Sequence, residues 1–237
     1  MGDFNYFNSL AVYACNLGLD RPERQALIKS IEADHTKSKT PPTKGDSWTG
    51  DVNSSCQLHD QPEFDKFFKL ASVAVDNYMT GLGVNTTMLD TYFTRSWAVR
   101  QEGSQAVSLH DHAQSHISIC YYPEAHPAHG AFVIAPQELP NEFFPNLFSN
   151  EHHKTTGLVD ANNPHTQSCY NLKPQDDMLL IFPSKMHHQV RPNADTYPTL
   201  ARYSVSSDIV CTLKSAHLYE HGLPPLPLWK KLEILNE

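Results

Sequence analysis

The chain is poorly equipped for disulfides. Its five cysteines, Cys15, Cys56, Cys120, Cys169 and Cys211, are odd in number and irregular in spacing, and no CxxC occurs. This argues against a disulfide framework and a thiolate zinc site, and for a reducing compartment, the cytoplasm. Basic residues are scarce as well: 18 Lys and Arg against 26 Asp and Glu leave a net charge of −8. Affinity for nucleic acid or an anionic membrane rests on neutralising phosphates with Lys and Arg, so neither is expected as a partner. No apolar run approaches membrane-spanning length. The opening residues, Met1 to Asn8, lack the basic start and apolar stretch of a signal peptide, and no Ser or Thr stands where myristoylation needs one. There is no internal repeat.

What the chain does have is aromatic bulk. Ten Tyr, eleven Phe and three Trp, within 40% hydrophobic residues, can fill a sizeable core in 237 residues. We expect a single domain over 1–237: a helical buttress over 1–90, a jelly-roll core over 91–210 and a C-terminal extension over 211–237. In the buttress, Asp20 is the expected N-cap of a helix whose apolar stripe is Leu27, Ile28 and Ile31. Residues 36–56 read as a loop around Trp48. A second helix starts near Gln61-Pro62-Glu63 and carries Phe64, Phe67, Phe68, Ala71, Val75 and Tyr78 as core. Beyond it the pattern becomes short strands: Met88–Val99, Gln105–His112, Ile117–Tyr122, Gly130–Ala135, Met178–Phe182, His187–Val190 and Ala201–Val210. Many short strands without intervening helices indicate a sandwich or jelly roll. Residues 136–174, with five prolines, interrupt the rhythm as an insertion.

Within the strands, His110 and His112 flank Asp111 and would share one face of a strand. His188 follows Phe182-Pro183-Ser184 on a strand where Met186, His188 and Val190 should look inward and Lys185, His187, Gln189 and Arg191 outward. His188 is therefore the expected third imidazole, with His187 as the fallback. Three such ligands can occupy one face of an octahedral iron and leave the opposite face open. On the last strand Arg202, Ser204 and Ser206 share a face, offering a guanidinium fork and hydroxyls to a carboxylate. The set reads as an iron site with a 2-oxo acid co-substrate.

These residues carry a resemblance. Gly45-Asp46-Ser47-Trp48, Pro62-Glu63-Phe64, Ser96-Trp97 with Gly103, His110-Asp111-His112, Ser118-Ile119-Cys120-Tyr121-Tyr122, Phe182-Pro183-Ser184 with His188, Val190-Arg191-Pro192-Asn193 and Arg202-Tyr203-Ser204 follow in order. The chain resembles the 2-oxoglutarate/Fe(II) oxygenases of the double-stranded β-helix superfamily, in the small HxH-type bacterial and phage group. The resemblance implies a mainly β, cupin-like jelly roll with N-terminal helices. It implies Fe(II) on His110, His112 and His188, with 2-oxoglutarate held by Arg202, Ser204 and Tyr122. The implied reaction is hydroxylation or oxidative C–N cleavage with O2, releasing succinate and CO2; the net acidity, the single-domain size and the lack of any reader module point to a small-molecule substrate. His112 departs from the superfamily's usual Asp or Glu ligand, and Lys173 to Asp177 replace its usual glycine turn.

Other features have plainer readings. Trp97 is expected in the core, Asp176-Asp177 in a solvated turn, and His116, His126, His129, His152, His153, His165, His217 and His221 on the surface or in loops. The Pro-rich stretch after Leu223 reads as a rigid linker before a short helix at Trp229–Leu235. Two rivals stay open: a three-histidine cupin-type dioxygenase that uses no 2-oxo acid, and a non-catalytic jelly-roll binding module. The oligomeric state is also open, a homodimer included.

Overall fold

A computed structural model describes residues 10–38, 42–52, 56–136, 139, 141–163, 166–215 and 222–231. Ten strands and three helices follow in order: β1 Tyr13–Asn16, α1 Arg21–Lys37, β2 Trp48–Thr49, α2 Asp65–Gly81, β3 Leu89–Glu102, β4 Val107–His110, β5 Ile117–Tyr122, β6 Phe132–Ile134, α3 Glu151–Thr155, β7 Tyr170–Leu172, β8 Met178–Pro183, β9 His188–Val190 and β10 Ala201–Leu213. A six-stranded sheet has the order β1-β8-β5-β10-β3-β2, and a four-stranded sheet the order β4-β9-β6-β7. Every paired strand in both sheets is antiparallel. The architecture is the double-stranded β-helix that the resemblance implies, a jelly roll as the strand pattern predicts.

The two-residue period of the strands sorts their side chains into two cores. From β5 and β8, Ile117, Ile119, Tyr121, Leu179 and Ile181 face the helices, joined by Val205 and Ile209 of β10. Cys120, Tyr122, Met178, Leu180 and Phe182 face the other way and meet Phe132, Ile134 and Val190 of the smaller sheet. Covered on both sides, β5 is buried along its whole length. Helix α2 lays Phe67, Phe68, Ala71, Val75 and Tyr78 on the first core, with Phe67 and Tyr121 at a centroid distance of 4.9 Å. At the start of α1, Asp20 Oδ1 accepts from Glu23 N at 2.9 Å while Glu23 Oε2 accepts from Asp20 N at 3.0 Å. This capping box satisfies two donors the helix would otherwise leave free. Leu27 and Ile31 are buried beneath it, and Ile28 is half-buried.

Several expectations are corrected. The N-terminal region, expected to be mainly helical, also holds short strands: β1 adds an edge strand to β8, and Trp48, 1% exposed, pairs with Arg100 of β3 instead of sitting in a loop. Strands of four and two residues are too short to show an alternation. The insertion is not without structure. Asn150 caps α3, Leu147, Phe148 and Val159 form a cluster of their own, and β7 joins β6. Strand β10 runs to Leu213, past the expected core boundary.

Asp177 is not solvated. It is 3% exposed and accepts hydrogen bonds from Gly18 N at 2.7 Å, Leu19 N at 3.3 Å and Tyr121 Oη at 2.6 Å. Its φ of 59° is the left-handed turn conformation that glycine favours and an aspartate tolerates. At the C-terminal end, Leu226–Leu228 form a single 3-10 turn and Trp229 to Lys231 are not helical. The rest of the expected helix, 232–235, lies outside the described residues, as do Met1 to Asn8, His165, His217 and His221.

Candidate metal centre

His110 ends β4 and His188 begins β9, and the two are cross-strand partners. His112 reaches them from beyond the strand end, its N–H donating to Ser184 O at 2.9 Å. The pairing register shifts between Val107 and His110, so a loop rather than strand alternation delivers His112, contrary to the strand expected over 105–112. One ligand atom from each imidazole lies within 4.8 Å of the others, the single such grouping among the described residues. His188 is buried with Met186 and Val190, while Lys185 is exposed and His187 and Gln189 are half-buried, which is the parity read from the sequence.

Each ring has its tautomer set from outside. His110 Nδ1 meets Ser108 O at 2.7 Å, His188 Nδ1 meets Met186 O at 2.8 Å, and His112 Nδ1 meets Asp208 Oδ1 at 2.5 Å. Carbonyls and carboxylates only accept, so each Nδ1 carries the proton and each Nε2 keeps its lone pair. Burial lowers the pKa of His110 and pushes that of His188 down to about 3. Both are therefore neutral near pH 7, the state in which imidazole binds metal.

Beside the imidazoles lies a cavity of about 190 Å³, with Arg202, Ser204 and Ser206 in its lining. Arg202 is 1% exposed. It donates through Nη1 to Gly130 O at 3.0 Å and through Nη2 to Gln101 Oε1 at 2.5 Å. Gln101 is itself held, donating to Gln105 O at 2.6 Å and Arg191 O at 2.9 Å. Arg202 Nε has no hydrogen-bond partner, and among the described residues no carboxylate forms an ion pair with this guanidinium. Tyr122, fully buried and with no hydrogen-bond partner for its hydroxyl among the described residues, stands with its ring centroid 5.7 Å from the guanidinium carbon. A buried cation without a counter-charge and an orphaned phenol are both costly, and a ligand carboxylate would satisfy both. The donor set thus fits a metal and the inner pocket fits a 2-oxo acid.

Around the cavity the structure adds residues the sequence reading left out. Trp97 is not merely core: it lines the cavity with its ring 5.6 Å from that of His112, and Arg95 lies 4.5 Å over it. Gly130 cannot carry a side chain, because a Cβ there would sit 1.8 Å from Arg191 O. His129, expected at the surface, is 4% exposed, and burial beside Arg202 lowers its pKa to about 4. Asp208 carries the strongest missed signal. It continues the parity of Arg202, Ser204 and Ser206, so an acid at this inward position was legible in the pattern.

The fold occurs in known proteins. AviO1 from Streptomyces viridochromogenes Tue57 superposes with a TM-score of 0.54 at 13% identity, covering 91% of this chain and 92% of its own. HygX from Streptomyces hygroscopicus, a structure with nickel, 2-oxoglutarate and hygromycin B bound, gives 0.52 at 14% identity over 91% and 92%. A Pseudomonas putida prolyl-4-hydroxylase gives 0.51 at 12% identity over 85% and 93%. No curated protein sequence matches. Residues 95–208, which hold all three imidazoles and Arg202, match the family model described as "Putative 2OG-Fe(II) oxygenase".

Proposed function

We propose that the protein is an Fe(II)/2-oxoglutarate-dependent oxygenase, built as one catalytic domain and oxidising a small molecule by hydroxylation or oxidative C–N cleavage. The observation that carries this reading is Arg202, a 1%-exposed guanidinium with no carboxylate partner among the described residues, beside three imidazoles whose lone pairs converge. Bound Fe(II), with 2-oxoglutarate and O2, supplies the oxidising chemistry and releases succinate and CO2. His110, His112 and His188 would hold the metal. Arg202, fixed by Gly130 and Gln101, would clamp the distal carboxylate of the co-substrate, with Ser204 and Tyr122 offering hydroxyls beside it. Phe132 and Phe182, both 1% exposed, keep water from the inner side of the His188 ring.

A small-molecule substrate is supported by the modest volume of the cavity, about 190 Å³, and by the net charge of −8, which disfavours nucleic acid. HygX offers a relative whose structure holds hygromycin B. The five free thiols are compatible with a reducing cytoplasm. The deciding experiment supplies Fe(II), 2-oxoglutarate and O2 to the purified protein and follows succinate across candidate metabolites. Succinate release stimulated by one metabolite supports the reading. Substrate-dependent oxygen uptake with no requirement for 2-oxoglutarate would replace it with the three-histidine dioxygenase.

A further inference from the structure

The oxygenase superfamily's usual second ligand is a carboxylate, yet His112 places a neutral ring there. A carboxylate is nonetheless close by. Asp208, on β10 and 1% exposed, meets His112 Nδ1 with Oδ1 at 2.5 Å. The same oxygen accepts from Ser118 Oγ at 3.2 Å. Ser118 is fully buried and also contacts His112 Nδ1 at 3.0 Å and Ser184 Oγ at 2.8 Å, and Ser115 Oγ donates to Ser184 Oγ at 2.7 Å. The other carboxylate oxygen, Oδ2, faces Arg95 Nε at 3.4 Å. Ser118 of β5 and Arg95 of β3 thus meet one buried acid directly, and Ser184 and Ser115 from the loops beside the site extend the chain of hydroxyls behind Ser118.

We infer that Asp208 is a positioning residue that supplies, through His112, the negative charge a carboxylate ligand would place directly on the metal. The inference rests on the reading that His110, His112 and His188 hold a divalent metal. Of the three imidazoles, His112 alone has a charged acceptor; His110 and His188 meet neutral carbonyls. A carboxylate on Nδ1 fixes the ring and makes Nε2 a stronger donor, and loss of such an outer partner typically weakens metal binding about 10–100-fold. The charge also favours the ferric over the ferrous state. Arg95, 40% exposed and stacked on Trp97 at the cavity wall, completes the line as the counter-charge on the far side of Asp208.

The test uses the full-length apoprotein and its Asp208→Asn variant. Asparagine keeps an oxygen acceptor for Nδ1, removes the charge and turns an NH2 toward Arg95 in place of Oδ2. Anaerobic titration with Co(II) should show about 10–100-fold weaker binding in the variant. The Fe(III)/Fe(II) midpoint potential should move to more positive values, a readout that a purely structural role for Asp208 would leave in place. Unchanged affinity together with unchanged potential overturns the inference. So does weaker binding without any change in potential, which would mark Asp208 as a strut only. His110→Ala is measured in parallel: if it binds Co(II) as the parent does, the metal-centre reading itself fails, whereas loss in His110→Ala with a silent Asp208→Asn removes only this inference. Should Asp208→Asn fail to fold, the ¹⁵N spectrum of the Zn(II)-loaded parent decides. A strongly downfield Nδ1 proton on His112, absent from the other two rings, is the expected result; an ordinary shift on all three is the contrary one.

Discussion

His187 and His188 are adjacent, yet only one belongs to the cluster. His188 is 4% exposed on the inward face of β9, with Nδ1 on Met186 O, and it opposes His110 across the ladder. His188→Ala should therefore lose tight Fe(II) binding, whereas His187→Ala should bind as the parent does. Anaerobic titration separates them, and the opposite ranking would transfer the role to His187. Arg202 makes a second residue-scale prediction. Truncating one side of a desolvated charge pair costs on the order of 2–5 kcal/mol, and about 1.4 kcal/mol is a factor of ten. Arg202→Ala should raise the apparent 2-oxoglutarate constant roughly thirtyfold or more and leave Fe(II) affinity nearly intact. Arg191 is the control: its side chain is exposed, and only its backbone carbonyl is used, by Gln101. Equal effects in Arg191→Ala and Arg202→Ala would argue against the clamp.

At the scale of elements, legibility followed length and locality. Helix α1 was readable because its signals are local: Asp20 and Glu23 are three apart, and Leu27 and Ile31 four apart. Asp20→Ala should cost about 1 kcal/mol in denaturant unfolding, with Co(II) affinity unchanged, since the cap is remote from the imidazoles. A loss of metal binding in this variant would mean that α1 is coupled to the site. Strand β5 was read to the residue because all six of its side chains are apolar or small and are buried on both faces. By contrast β1, β2 and β7 hold two to four residues each, and only their partners β8, β3 and β6 make them strands. The His112–Asp208 contact joins residues 96 apart, and Tyr121–Asp177 joins residues 56 apart. Such pairings depend on sheet order, which composition and periodicity do not encode. Asp177 was read as a solvated acid because a turn aspartate usually is one, while three long-range donors make this one a core acceptor.

At the scale of the molecule, the site is a seam between the sheets. His110 and His188 belong to the four-stranded sheet; Arg202 and Asp208 lie on β10 of the six-stranded one, and His112 is tied to β10 through Asp208. Groups buried neutral along this seam make folding depend on pH. His129 has a folded pKa of about 4, below the value of about 6.5 of an unfolded imidazole. The unfolded chain therefore binds the extra proton first as pH falls. The stability tied to a neutral His129 is complete above about pH 6.5 and is lost progressively as pH falls through about 4. Denaturant unfolding should weaken over that window, and His129→Gln should flatten the slope; an identical slope would assign the protons elsewhere. The same seam makes metal binding a global event. An ion on three imidazoles exists only when β4, β9 and the His112 loop are docked, so it binds the folded chain and stabilises it by mass action. At a free metal concentration about 100 times Kd the gain is about 2.7 kcal/mol. For a chain of this size one kcal/mol corresponds to about 2–4 °C, so Co(II) or Ni(II) at pH 7.5 should raise the apparent Tm by roughly 5–10 °C. 2-Oxoglutarate added after the metal should raise it again, because it neutralises Arg202 across the seam. In Arg202→Ala the metal increment should persist and the 2-oxoglutarate increment vanish. A 2-oxoglutarate increment of equal size in Arg202→Ala would mean that the co-substrate is held elsewhere and that this buried guanidinium serves the fold alone.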